Sequence, residues 1–435
     1  MESISSSIFL LLTMFLVLGL GVRIFVGLMV VSFVGLLFIQ GLPMDQVGAI
    51  MVKRFYGGAG SWELACVPLF MWMGEVIFRT DISDRLFNGL APLMNKLPGR
   101  LLHTNVAACA LFAAISGSSA ATTATVGKIT VNELENRKYD RNLSIGSLAG
   151  AGSFGLMIPP SIVFIIYGVL AEESIAKLFL AGILPGLMLA GLYSAYIIIR
   201  SLINPSLAPK IEENYSLRDY LHCLRQLTPV LVIIGIVFGS IYSGLATPTE
   251  AAAVGVTASL AVTVVLRQFS MKLFIESLMQ ALKTSCMVLT LVAGAGFLST
   301  AIGLLHVPQE ISIAITKLDL SPFQLIAVLG LFYMLLGFFL ESISITVMTL
   351  AICLPLVTAA GFDPIWFGVF LVIMMEMAQI TPPVGFNLFV IQGMSGYPIE
   401  RVAIAAAPFF CLMLLGAIII TVFPQIALFL PGILG

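Results

Sequence analysis

Four short stretches hold most of the groups that could do chemistry. "AISGSSAATTATVG" (114–127) clusters Ser116, Ser118, Ser119, Thr122, Thr123 and Thr125 among glycine and alanines. "GLMIPPSI" (155–162) follows with adjacent prolines, Pro159 and Pro160. "LESISITVMTL" (340–350) repeats the hydroxyl-rich theme with Ser342, Ser344, Thr346 and Thr349, and "QITPPVGFN" (379–387) repeats the proline pair at Pro382 and Pro383. Hydroxyls are hard oxygen ligands, and small residues let backbones approach closely. Proline lacks a backbone donor and drives the residue before it out of helical geometry. Carbonyls freed in this way face a cavity or a ligand when they lie at bilayer depth. A divalent cage would want several convergent carboxylates, which these stretches lack, so oxygens of little formal charge point to a monovalent cation such as Na⁺. Half-helix N-termini at the same breaks suit an anionic group. A packing kink would explain the prolines, and a packing face the small residues; neither requires both features in each half.

Other chemistries find little support. The six cysteines (Cys66, Cys109, Cys223, Cys286, Cys353, Cys411) form no C-x-x-C pair, and the three histidines, His103, His222 and His306, are scattered. That argues against zinc, haem and iron–sulfur sites. No H-E-x-x-H or G-x-S-x-G motif marks an enzyme. With 21 basic and 22 acidic residues the net charge is −1, and no nucleic-acid footprint is visible.

The elements that must position these groups lie in a membrane. Of 435 residues, 59% are hydrophobic and 10% charged, with mean hydropathy +1.08, far beyond what a soluble domain hides. Apolar runs suggest ten to twelve crossings, near 6–20, 24–41, 62–78, 101–116, 144–170, 178–200, 227–244, 249–266, 285–305, 321–340, 343–380 and 403–431. The N-terminus does not read as a cleaved signal, since Glu2 replaces a basic start.

The order of segments implies an internal repeat. Residues 1–200 form a first repeat, with an amphipathic arm at about 79–100, a hairpin at about 117–142 and a broken helix at about 144–170. Residues 201–226 are a polar linker, and 227–435 form the second repeat, with an arm at about 267–283, a hairpin at about 341–362 and a broken helix at about 364–394. Ser118 and Glu341 differ by 223 positions, as do Pro159 and Pro382. Paired interruptions in two halves point to the binding site of a secondary transporter. Basic residues occur in both arms, so charge bias leaves orientation open.

Four further acids stand out. Glu341 is costly at bilayer depth unless paired or hydrated, which favours a functional role. Asp363 precedes Pro364 and reads equally as a helix cap or a functional acid, and Glu376 precedes the second proline pair. Glu250 in "ATPTEAAAVG" (246–255) completes a capping box with Thr247.

Taken together, "AISGSSAATTATVG", "GLMIPPSI", "ATPTEAAAVG", "GFDPIWFGV" and "ITPPVGFNLFVI" resemble the large membrane subunit of tripartite ATP-independent periplasmic (TRAP) transporters, in the family's order and over essentially the whole chain. The resemblance implies an all-α inverted-repeat protein with re-entrant hairpins and an elevator mechanism, in which a transport domain moves against a scaffold. It implies two partners, a small four-helix membrane subunit and a periplasmic substrate-binding protein, and Na⁺-driven uptake of an organic anion of the C4-dicarboxylate or sialic acid class across a bacterial inner membrane. Nothing precedes the first span, so an unfused large subunit is expected. By motif, a first Na⁺ would lie at Ser116, Ser119, Gly155, Ile158 and Pro159, and a second at Gly337, Ala378, Thr381 and Val384. Because such sites use mostly backbone oxygens, losing the Ser119 hydroxyl should weaken Na⁺ dependence only modestly. Ser118, Thr122, Pro160, Ser342, Ser344, Pro383 and Asn387 would face the substrate. The chain departs from the family at Ala378, often glycine, and at Arg23, often proline. A stand-alone cation/dicarboxylate symporter of related architecture is the alternative.

Overall fold

A computed structural model describes residues 13, 16, 17, 20–209, 216–307, 309, 320–382 and 385–434. The described residues form helices and loops, with no strand. In chain order the helices are α1 (Ile24–Val34), α2 (Met44–Ala59), α3 (Cys66–Phe78), α4 (Ile82–Met94), α5 (Leu102–Ser116), α6 (Ser119–Asn136), α7 (Arg141–Gly152), α8 (Phe154–Met157), α9 (Ile162–Ala171) and α10 (Ile175–Ile203). They continue with α11 (Leu217–Tyr242), α12 (Pro248–Val265), α13 (Met271–Leu304), α14 (Pro322–Gly337), α15 (Ser342–Ala359), α16 (Pro364–Gln379), α17 (Phe386–Ser395), α18 (Ile399–Val422) and α19 (Gln425–Leu434). Seven described helical segments are long and apolar enough to cross a membrane, or eight if the bent pair at 44–57 and 62–78 is one span. The chain is a multi-pass membrane protein. Exposed Val232, Val265, Ile404 and Ile418 stud its outer surface, where acyl chains cover apolar side chains without penalty.

The spacing read from the sequence recurs in the helices. Both ends of α15 lie 223 residues beyond the ends of α6. The same offset sets α16 over α7 and α8, α17 over α9, and α18 over most of α10, with ends matching within a few residues.

Caps and breaks explain where the helices stop. The Thr247 hydroxyl and Glu250 carboxylate complete the expected capping box at α12. Asp363 is a cap too, its Oδ1 accepting the Ile365 and Trp366 N–H groups at 2.7 and 3.2 Å. Gly117, at φ +59°, ends α5, and Ser118 caps α6. Each hairpin therefore begins earlier than 117 or 341, since the helix before the turn is its first limb.

Three further expectations change. The segment at 267–283 is the start of the 34-residue α13 rather than a separate arm, because no glycine or proline interrupts it before Gly294. The span at 343–380 is two helices, divided by Gly361 at φ +90° and Pro364. The linker at 201–226 is helical at both ends, in α10 and α11.

The two halves pack through the proline-broken spans. Across them the Tyr167 hydroxyl on α9 donates to the Pro364 carbonyl at 2.5 Å, while within the second half buried Trp366 donates to the Ile420 carbonyl at 2.8 Å. Trp366 also stacks on Phe362 and Phe370, with centroids 4.7 and 5.4 Å away. Such pairs add to area burial in fixing the relative placement of helices.

Candidate functional site

Both hairpin tips open on one cavity of about 460 Å³. Ser116, Ser118 and Ser119 line it from the first tip, and Gly337, Glu341 and Ser342 from the second. Backbone contact, rather than side chains, closes the first tip against its broken span. A Cβ added at Gly155 would lie 2.4 Å from the Ser118 carbonyl and the Ser119 nitrogen, and one at Gly117 would lie 2.8 Å from the Pro160 carbonyl oxygen. Real Cβ atoms do not approach so closely, so both positions require glycine. The second tip is equally tight but against a side chain: a Cβ at Gly337 would sit 2.2 Å from the Ala378 methyl.

Of the expected first-cation residues, Ser116 and Ser119 line the cavity, and Gly155, Ile158 and Pro159 do not. Gly155 abuts Ser119, and Ser116 shares a 2.8 Å hydrogen bond with Thr122, which stands behind it. Ile158 and Pro159 lie in the turn between α8 and α9, and the Ile158 side chain packs against Gly186 of α10. At the second break the Thr381 hydroxyl donates to the Met377 carbonyl at 2.6 Å, while its N–H donates to the Ala378 carbonyl at 3.2 Å. Val384 and Pro383 lie outside the described residues. Ser344 and Asn387 are buried without lining the cavity, and neither the Ser344 hydroxyl nor either polar atom of the Asn387 amide has a partner among the described residues. Buried unpartnered polar atoms are expensive, and they cluster where a ligand or water completes the site.

The charges around the cavity are acidic. Glu75 and Glu341 line it, whereas among the described residues no lysine, arginine or histidine does. Glu75 is answered by Arg79 at 3.4 Å, which also reaches Glu276 at 2.9 Å. Positive potential comes instead from the N-termini of α6 and α15, each 18 residues long and each starting at the cavity. Among the described residues no three His, Cys, Asp or Glu side chains converge on a metal site. The donors at the breaks are hydroxyls, backbone carbonyls and a single buried carboxylate, a set that fits a hard monovalent cation.

The family model for the tripartite ATP-independent periplasmic transporter, DctM component, matches residues 9–426. The chain belongs to the DctM family. Among its relatives is the C4-dicarboxylate TRAP transporter large permease protein DctM of Pseudomonas aeruginosa, 34% identical, with 92% of this chain and 93% of that one covered. Another is the sialic acid TRAP transporter large permease protein SiaM of Vibrio cholerae serotype O1, 30% identical over 87% and 88% of the two chains. The solved structure of the Alcanivorax borkumensis YdaH transporter has the same fold at a TM-score of 0.60, with 13% identity and 90% and 89% of the chains covered. This DctM-family chain is thus a TRAP large permease of the inner membrane and not an enzyme.

Two DctM-chain residues at the site had no role assigned from the sequence. Glu376 is 1% exposed, and its Oε1 accepts hydrogen bonds from the Ser119 hydroxyl and from the Leu156 N–H, the latter at 3.1 Å. Gln379, one turn on, donates from Nε2 to the Ser342 hydroxyl oxygen at 2.9 Å. An acid inside an apolar run was the only signal, and it could not say which half the side chain would reach.

Proposed function

We propose that this permease imports an organic acid, of the C4-dicarboxylate or sialic acid class, by Na⁺-coupled symport. The observation that carries the reading is the meeting of both broken spans at one cavity. There, two half-helix N-termini face hydroxyl and carbonyl oxygens, so anion and cation sites lie side by side. The relatives named above supply the substrate classes. A substrate carboxylate is held by the N–H groups at the starts of α6 and α15 and by Ser118 and Ser342, since no basic side chain lines the cavity among the described residues.

Ser116, Ser119, Gly155, Ile158 and Pro159 hold one Na⁺, and Gly337, Ala378, Thr381 and Val384 the other. Bound Na⁺ supplies positive charge that offsets the substrate's and the cavity's acids. Thr122, Pro160, Ser344, Pro383 and Asn387 support the two tips from behind the substrate. The hairpins travel with their substrate against a scaffold, in an elevator motion. A small four-helix membrane subunit supports that scaffold, and a periplasmic binding protein delivers the solute.

The test is uptake into proteoliposomes holding this chain and its small subunit under an inward Na⁺ gradient, with and without a ligand-loaded binding protein. Accumulation is expected only when Na⁺ and the binding protein are both present. Accumulation with Na⁺ alone would move the chain to a stand-alone symporter. Uptake indifferent to Na⁺ would remove the coupling.

A further inference from the structure

Glu376 sits on α16 in the second half, yet both of its hydrogen bonds go to the first. Ser119 opens α6 and Leu156 belongs to the first broken span, and both line the cavity. The other carboxylate oxygen, Oε2, is buried with no partner among the described residues. A carboxylate so enclosed is costly unless positive charge lies near it.

The repeat makes the arrangement more pointed. Ser342, 223 positions beyond Ser119, is bonded by Gln379 from the same α16. At the same offset before Gln379 stands Leu156, and before Glu376 stands Ser153, whose hydroxyl is spent on the Gly150 carbonyl at 2.5 Å. One helix thus tethers both hairpin tips, by an anion at the first and a neutral amide donor at the second. The chemical consequences are opposite. A hydroxyl has one proton and two lone pairs. Ser119 gives its proton to Glu376 and keeps its lone pairs for the cavity. Ser342 accepts the amide N–H and keeps its proton for an anion.

We infer that Glu376 is the positioning residue of the first cation site: it turns the Ser119 hydroxyl so that oxygen lone pairs face the cation, and it brings the formal negative charge that the surrounding neutral oxygens lack. The inference rests on the Na⁺-coupled reading above. Partners of this kind, one shell out from an ion, typically change affinity by about 10–100-fold when removed.

The test is Na⁺-dependent thermal stabilisation of the purified full chain in detergent, with NaCl titrated against choline chloride at constant ionic strength. Glu376→Gln keeps an acceptor oxygen but loses the charge, and should raise the half-saturating Na⁺ concentration roughly tenfold. Ser119→Ala should do about the same, and the double variant no more than either alone, as two members of one coupled unit require. Melting in choline alone should stay near the wild-type value. Wild-type half-saturation in Glu376→Gln, additive effects in the double variant, or lower stability in choline with an intact Na⁺ response would each overturn the assignment and leave a structural pin. If Glu376→Gln does not accumulate, Glu376→Asp replaces it. Aspartate draws the charge one methylene back from Ser119 and carries the same expectation and the same overturning result. A wild-type chain with no Na⁺ response removes the coupling reading itself and this inference with it, an outcome distinct from a wild-type response that the variants fail to shift.

Discussion

At residue scale the site is built by what is missing from side chains. Gly337 and Ala378 divide one small space, for a Cβ on the former would fall 2.2 Å from the methyl of the latter. One of the pair must lack a Cβ, so alanine at 378 is accommodated by the glycine opposite. Gly337→Ala should therefore destabilise the protein by about 1–3 kcal/mol, as overpacking does. Adding Ala378→Gly should recover most of that loss, less the roughly 1 kcal/mol that glycine costs inside a helix. Thermal unfolding of the single and double variants measures this, and a single variant as stable as wild type would show that the contact is slack. Ser116 and Ser119 stood out in the sequence because small residues, hydroxyls and paired prolines are rare together inside apolar runs, whereas Gly155 came only with the family resemblance. Glu376 was visible as an acid but its purpose was not, since its partners lie 257 and 220 positions away. On sequence grounds Ser119 has a modest part among backbone ligands; on the inference above, a hydroxyl oriented by Glu376 would carry more of the cation site.

At element scale the legible features were those with local causes. The caps at Thr247 and Asp363 follow from neighbouring side chains, and the helix correspondence follows from the 223-residue offset of the breaks. The second arm was misplaced because periodic charge marks a polar helix face without saying where the helix ends. The first arm does stand alone as α4, and it packs on α11. A Cβ added at Gly89 of α4 would lie 2.8 Å from the Leu227 side chain and 3.0 Å from the Cys223 carbonyl, both of α11. Gly89→Val should push α4 outward and lower the stability, again by about 1–3 kcal/mol, read as a lower unfolding midpoint. The half-saturating Na⁺ concentration should not move, because neither α4 nor α11 lines the cavity. A normal yield of folded protein together with a lost Na⁺ response would argue instead that the arm takes part in coupling.

At the scale of the whole molecule, the contacts of α3 differ on its two sides. Towards α13 they are polar and interlocked: Trp72 donates to the Ser277 hydroxyl at 3.1 Å, and Arg79 bridges to Glu276 at 2.9 Å. Towards the first hairpin the approach is backbone against glycine. A Cβ on Gly74 would lie 3.3 Å from the Ser116 Cα and 3.4 Å from the Ile115 and Ser116 carbonyl oxygens. Interlocked side chains suit parts that stay together, whereas a smooth glycine face suits parts that slide. If the hairpin moves past α3 during transport, a side chain at 74, pressed against the Ser116 backbone, should obstruct the passage. Gly74→Leu is thus expected to abolish uptake in proteoliposomes while the detergent-purified variant keeps a Na⁺-dependent rise in unfolding temperature. Uptake at the wild-type rate would mean that the hairpin does not cross this surface, and the moving boundary would have to be sought elsewhere. Loss of both uptake and Na⁺ stabilisation would place Gly74 within the cation site's own packing, with Ser116 displaced by the new side chain.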